Sequence, residues 1–132
     1  MNTYKQIQAS FWQNAFVLDL TPEEKYFYIY LITNTKTTAC GIYRFNLKLA
    51  VLETGLNSEK INNYLSSFES SGKIVVSKAT GEIMIINWLK HNPKRNKRII
   101  GQINSELKEV KDKELLKRFY ESCRNREYPV EE

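Results

Sequence analysis

The stretch CGIYRFNLKLAVLETGLNSEKINNYLSSFESSGKIVVSKATGEIMIINWL, residues 40–89, carries most of the information about the fold of this chain. Residues 41–45 alternate apolar and less apolar side chains, which predicts a half-buried strand. Residues 47–53 are nearly all apolar and predict a short helix. Gly55 suits a tight turn that needs a positive φ, and Asn57 is a good N-cap for a second helix.

The second helix and the segment after it complete an ordered pattern. Ile61, Leu65 and Phe68 recur at helical spacing, and a Ser-Gly pair ends the helix. Residues 73–88 predict a β-hairpin with its turn at residues 79–82. Strand, helix, turn, helix and hairpin in this order predict a winged helix-turn-helix, an architecture that chiefly binds nucleic acid. We therefore expect an α+β fold that is mainly helical.

The sequence also predicts an extension on the N-terminal side of this motif. Residues 21–24, Thr-Pro-Glu-Glu, form a capping box with proline at the first helical position, and they predict a helix that ends near Asn34. Before that helix we expect a helical turn at residues 10–14 and a strand at residues 5–8.

On the C-terminal side, an Asn-Pro pair at residues 92–93 marks the end of the motif, and two helical patterns follow it. We predict a winged-helix domain with its N-terminal extension over residues 1–92. A basic linker and a C-terminal helix or helices then occupy residues 93–132 as a helical appendage. Residues 127–132 are expected to fray.

The net charge of +5 is concentrated in one place. Five cations fall within residues 90–98, and removing them from the 20 basic residues leaves 15, which equals the number of acidic residues. A positive segment beside a helix-turn-helix favours phosphate binding, because releasing condensed counterions drives affinity for DNA. The alternative is a solvated basic linker.

The second helix of the motif has a chemically mild outer face. Asn62 and Asn63 suit adenine in the major groove, but Lys60 is the only basic residue of this helix, so direct readout of sequence should be weak. A solvated polar face explains the same residues equally well. The predicted DNA contacts are Lys60, Asn62, Asn63, Ser66, Lys73, Lys78, Lys90, Lys94, Arg95, Lys97 and Arg98.

Apolar residues surround the helix after residue 21 on nearly every side, so one core face does not hold them all. We expect the excess to form a contact between copies of the chain. A stacking platform for single-stranded nucleic acid is the alternative. The residues assigned to the oligomer contact are Phe11, Trp12, Tyr26, Tyr28 and Tyr30.

The sequence offers no pattern typical of an enzyme. His91 is the only histidine, so a serine triad or a Cys/His metal cluster is not expected, and we expect no cofactor. Cys40 and Cys123 lie far apart and are expected to be reduced, which favours the cytoplasm. We find neither a signal peptide nor an apolar run long enough to span a membrane.

Several short segments together carry a resemblance to a known family. The segments are SFW at 10–12, TPEEK at 21–25, YLITN at 30–34, CGIY at 40–43, ETGL at 53–56, GKI at 72–74 and INWLKH at 86–91. With them the chain resembles the N-terminal domain of DnaD-like primosomal proteins and of related phage replisome organisers. The resemblance covers most of residues 5–92.

This resemblance implies a winged-helix domain of replication initiation in bacteria or their phages, which binds DNA, self-associates and helps to load a helicase. Typical members carry a second domain, for which the residues after Lys97 are too few. We therefore expect an N-terminal fragment or a small stand-alone relative, and no helicase loading by this chain alone. A transcription regulator and a protein-interaction module that does not bind DNA remain the alternatives.

Overall fold

A small antiparallel sheet separates two layers of helices. The computed structural model describes residues 4–131. After a 3₁₀ turn at Ala9–Gln13, the elements are α1 Ala15–Leu18, α2 Pro22–Thr33, β1 Ile42–Arg44, α3 Leu47–Thr54, α4 Ser58–Ser70, β2 Ile74–Val76, β3 Glu82–Ile85, α5 Trp88–His91, α6 Lys97–Glu109 and α7 Lys113–Asn125. The fold is α+β and mainly helical, as the sequence predicts.

β3 is the central strand, with β1 on one side and β2 on the other. Met84 of β3 lies opposite Ile42 in β1 and Val75 in β2, and both pairings are antiparallel. All four residues of β3 are buried. Because successive side chains of a strand point to opposite faces, each face of this strand contributes to a separate core.

The core on the first face of the sheet belongs to the helices that precede β2. Ile83 and Ile85 of β3 pack in one cluster with Phe27 of α2, Ile61 of α4 and Phe68 of α4. The three helical residues of this cluster are completely buried. The spacing of Ile61, Leu65 and Phe68 in the sequence correctly predicts this buried stripe.

The core on the second face belongs to the C-terminal helices. Met84 packs in one cluster with Ile103 and Leu107 of α6 and with Leu115 and Phe119 of α7. The hairpin is therefore covered on the side that faces away from α4. Among the described residues no helix is both long and apolar enough to cross a bilayer.

The local signals in the sequence place most helix ends correctly. Thr21 and Glu24 form the reciprocal capping box at the start of α2. Gly55 ends α3 with φ of 77°, and Asn57 caps α4 by accepting a hydrogen bond from the backbone N–H of Lys60. These residues act within one or two turns of chain, so their effect does not depend on the rest of the fold.

The structure corrects three predictions. Residues 5–8 do not form a strand. The second strand of the hairpin is shorter than expected, because Asn87 adopts φ of 60° and Trp88 begins α5. Of the tail that was expected to fray, the described residues 127–131 include Tyr128, which is buried in the core beside α7. Glu132 lies outside the described residues.

Two buried or half-buried carboxylates join the C-terminal helices to the sheet. Glu82 accepts hydrogen bonds from the backbone N–H groups of Lys111 and Asp112, at 3.0 and 2.7 Å. Glu106 accepts from the backbone N–H groups of Ala39 and Cys40, at 3.1 and 2.9 Å. The hairpin end and the entry to β1 are thereby fixed to the second helical layer.

We predict that Gly41→Ala destabilises the fold by about 1–3 kcal/mol or more, because its φ is +77° and a Cβ would lie 2.5 Å from Cγ of Trp88. Gly101→Ala is the matched control, since nothing lies within 4 Å of its Cβ position and alanine favours the helix. Urea denaturation of both variants measures the difference. Equal midpoints would contradict the close approach of Gly41 to Trp88.

We also predict that Glu82→Ala lowers the free energy of unfolding by about 1–3 kcal/mol, because two backbone N–H groups lose their acceptor. Glu109→Ala is the control, since Glu109 is exposed at the end of α6. Hydrogen exchange should speed up at Lys111 and Asp112 in the first variant only. Unchanged exchange at both amides would argue against the connection.

Candidate nucleic-acid interface

The predicted basic segment, residues 90–98, is held in place by the C-terminal tail. The hydroxyl of Tyr128 donates to the carbonyl oxygen of Lys94 at 2.6 Å. The guanidinium of Arg95 donates to the carbonyl oxygens of Arg126 and Glu127, at 2.8 and 3.1 Å, and lies 5.4 Å from the ring centroid of Tyr128. Arg95 therefore has a structural role, whatever else it contacts.

Lys97 and Arg98 have a different environment. Both are exposed in the first turn of α6, whose N-cap is Asn96 and which has no acidic residue there. Neither side chain makes a hydrogen bond or ion pair with another residue between 4 and 131. Cations at the positive end of a helix are unfavourable for stability, whereas an anion is attracted there. This turn is an uncompensated positive site within the basic segment.

Lys94 is another exposed cation of the segment and lies near the N-terminal extension. Its ammonium donates to the side-chain oxygen of Gln6 at 3.4 Å. This long hydrogen bond to a neutral amide leaves the charge of Lys94 uncompensated. The bond also joins the basic segment to the stretch of chain that precedes the 3₁₀ turn.

The outer face of α4 carries the predicted polar contacts. Asn62, Asn63 and Ser66 are exposed. Lys60 is not free, because its ammonium lies 3.1 Å from the carboxylate of Glu23 at the start of α2. A hydrogen bond from the hydroxyl of Tyr64 and the pairing with Lys60 lower the pKa of Glu23. The only basic side chain of α4 thus stabilises the contact with α2.

The two lysines predicted on the hairpin are in different positions. Lys78 is exposed in the turn between β2 and β3. The ammonium of Lys73 lies 5.1 Å from the ring centroid of Phe16, as in a cation–π contact. Ser77, next to Lys78, donates a hydrogen bond that lowers the pKa of Asp112 before α7. The turn of the hairpin is therefore attached to the second helical layer.

Lys90 lines a groove between the N-terminal extension and α5, together with Lys73 and His91. Burial lowers the pKa of His91, and the nearby charges of Lys90, Arg126 and Lys73 lower it further. The predicted site residues therefore fall into three separate places: the outer face of α4, the turn of the hairpin, and the basic segment with this groove.

The aromatic residues assigned to an oligomer contact are largely engaged within the chain. Tyr28 packs between Phe11, Phe16 and Phe68, with centroid distances of 6.0, 5.4 and 5.3 Å. The hydroxyl of Tyr30 donates to the carboxylate of Glu53 at 2.7 Å. The N-terminal extension thus covers Tyr28, and α3 engages Tyr30.

Two of those aromatic residues retain large exposed areas. Trp12 is 53% exposed and Tyr26 is 48% exposed. Leu18 and Leu52, which the sequence did not single out, are 54% and 78% exposed. These four side chains are available for an apolar contact with another protein molecule.

Tyr128 and Gln6 are residues of the candidate site that sequence reasoning missed. Both contact the basic segment from positions far away in the chain. A tyrosine followed by proline near the end of a charged helix gives no local signal of this role. The apolar character of Tyr128 and Val130 is the one signal that could have predicted packing of the tail, which was expected to fray.

The two thiols are poorly suited to reaction. Burial raises the pKa of the Cys40 thiol to about 12, with Glu106 adding to the shift. Within the described residues neither Cys40 nor Cys123 forms a disulfide, and both are buried in the same core. Among residues 4–131, no group of three or more His, Cys, Asp or Glu side chains is arranged to hold a metal ion.

Comparison of the chain with protein-family models, with curated proteins and with solved structures finds no match. Any function assigned to the chain therefore rests on its own residues and on the geometry described above.

We predict that Tyr128→Phe costs about 0.5–1.5 kcal/mol of stability, because the hydrogen bond to the carbonyl of Lys94 is removed while the ring remains. Amide exchange in residues 92–96 should become faster, as this loop loses its attachment. The control is Tyr4→Phe, because the ring of Tyr4 is exposed. Tyr120→Phe is less suitable, since Tyr120 has partners of its own. Equal exchange rates in both variants would refute the attachment.

Proposed function

We propose that this chain is a DNA-binding module of a bacterial or phage replication initiation protein, with a winged helix-turn-helix at its centre. The observation that carries the proposal is the uncompensated positive charge of Lys94, Lys97 and Arg98, fixed beside the strand–helix–helix–hairpin unit. The replication context comes from the family resemblance of the sequence. We propose no catalytic activity and no cofactor.

The order and pairing of the elements support the winged-helix assignment. β1, α3, α4 and the hairpin of β2 and β3 follow one another, and α3 and α4 meet across the left-handed Gly55. Because β1 pairs with β3, the three strands form one sheet against α4. In this arrangement α4 corresponds to the recognition helix and the hairpin to the wing.

The binding mechanism is mainly electrostatic. Lys94, Lys97 and Arg98 bind backbone phosphates and release counterions, while the amides of Asn62 and Asn63 are available to base edges. Because Lys60 is paired with Glu23, α4 has no uncompensated cation to support direct readout. We therefore expect modest sequence preference, which disfavours the alternative of a transcription regulator.

The wing of this molecule makes a restricted contribution. Its turn is attached to the α6–α7 connection through Glu82 and Asp112. Only Lys78 extends from that turn as an exposed cation. We propose that the wing contacts one phosphate without inserting into a groove of the duplex.

Self-association is the second part of the proposal. Exposed apolar side chains favour self-association, among them Trp12, Leu18, Tyr26 and Leu52. The same observation favours the alternative of a protein-interaction module without DNA binding. Sedimentation at low and high protein concentration, followed by DNA titration of each species, separates the two functions.

We expect the triple variant Lys94→Gln, Lys97→Gln, Arg98→Gln to bind random duplex DNA more weakly and to reduce the salt slope by about 0.9 for each phosphate that the variant no longer neutralises. Arg95 is retained because it holds the C-terminal tail. The matched control removes the same charge from exposed positions elsewhere and consists of Lys48→Gln, Lys108→Gln and Lys117→Gln. Fluorescence anisotropy at several salt concentrations measures both. If the two triple variants behave alike, net charge alone drives binding and the proposed interface is wrong.

A further inference from the structure

The groove beside Lys90 has the size and lining of a ligand site. Its volume is about 330 Å³, and it runs between the N-terminal extension and the residues that follow β3. This volume falls within the range of about 300–1,000 Å³ that is common for small-molecule sites. The groove also has aromatic surface, which comes from Phe11, Phe16, Tyr28 and Trp88. Residues from distant parts of the chain line the groove, so its shape depends on the tertiary fold.

The charge at the groove is of one sign. Lys73 and Lys90 line it together with His91, and none of the described residues that line it is Asp or Glu. Lys73 and Lys90 make no ion pair within residues 4–131. Burial is the main cause of the lowered pKa of His91, and the positive charges of Lys90, Arg126 and Lys73 lower it further. An anionic group is therefore the favoured occupant.

The polar lining consists largely of carboxamides. Six of the lining side chains are Asn or Gln, and those of Gln8, Gln13 and Asn87 make no hydrogen bond to another residue that the structure describes. A carboxamide pairs one donor with one acceptor, which matches the edge of a nucleobase. The backbone of a peptide offers the same pair of groups, so the carboxamides suit either occupant. The aromatic surface beside them, on which a base can stack, favours a nucleotide over an acidic peptide.

The groove is also continuous with the proposed DNA interface. Lys90 lines the groove and begins the basic segment. Lys94 follows four residues later and contacts Gln6, another residue of the groove. A DNA strand with one base in the groove would therefore extend its phosphates toward Lys94 and then Lys97.

We propose that this groove holds one unpaired nucleotide of single-stranded DNA, with its base against the aromatic and carboxamide lining and its phosphates near Lys73 and Lys90. The inference rests on the proposed function, because the neighbouring phosphates use the same basic segment. It adds a preference for unpaired DNA that a duplex interface alone would not have. Extruded or unpaired bases are read in this way, by stacking and by hydrogen bonds to their edges.

Asn87 allows a test that leaves the backbone undisturbed. Its φ is 60°, a conformation that glycine adopts without strain, so Asn87→Gly removes the side-chain amide alone. Glu127→Gly is the matched control, because Glu127 has φ of 52° and does not line the groove. Lys73→Gln removes a charge of the groove that does not belong to the basic segment.

The experiment measures the affinity of the full chain for a labelled single-stranded oligodeoxynucleotide and for its duplex, by fluorescence anisotropy. We expect Asn87→Gly with Lys73→Gln to weaken single-strand binding by about tenfold, since removing a charged hydrogen bond has about that effect. Duplex binding should fall by a clearly smaller factor, of about two, because it loses only the charge of Lys73. Glu127→Gly, which removes a carboxylate near Arg95, should change both affinities by the same factor. Thermal unfolding of each variant shows that the fold is retained.

Two results would overturn the inference while leaving the proposed function intact: unchanged single-strand affinity in the groove variant, or an equal loss for single strand and duplex. Competition with a peptide of alternating Glu and Leu provides a third measurement. If that peptide binds with an affinity that depends on Asn87 and Lys73, and the single strand does not displace it, the groove is a peptide site. Failure of the proposed function shows separately, as an unchanged salt slope in the basic-segment variant.

Discussion

The burial of β3 on both faces is the constraint on which the rest of the structure depends. Ile83 and Ile85 require the layer formed by α2, α3 and α4, and Met84 requires α6 and α7. Neither layer alone covers this strand, and burying apolar surface supplies most of the free energy of folding. The C-terminal helices therefore share the core of the motif. This sharing fixes the basic segment, which connects α5 to α6, relative to the sheet.

Much of the fold could be predicted from the sequence because its signals are local. The capping box at Thr21, the left-handed turn at Gly55 and the N-cap at Asn57 each act on the nearest turn of chain. The end of β3 could not be predicted in this way. Trp88 leaves the strand direction because its ring packs against Gly41 and its indole N–H donates to the carbonyl of Ala39, contacts that join distant parts of the sequence.

The candidate site likewise has features that the sequence predicts and features that only the tertiary structure shows. The sequence identifies the concentration of positive charge but does not distinguish the cations that are already engaged. Lys60 is paired with Glu23, and Arg95 holds carbonyl oxygens of the C-terminal tail. Lys97 and Arg98 have no such contacts within the described chain. The partners lie more than 30 residues away, so only the tertiary structure separates structural cations from available ones.

The attachment of Lys94 and Arg95 to the tail has a thermodynamic consequence. The contacts with Tyr128 hold this part of the basic segment in one arrangement, so the positions of its cations depend on a docked tail. A ligand that binds only this arrangement would bind the folded chain in preference to one whose tail has opened. By linkage, such a ligand would stabilise the docked tail, and a docked tail would in turn raise affinity for the ligand. The last residues of the chain and the positive surface beside them would then form one coupled equilibrium, in which docking of the tail controls anion affinity.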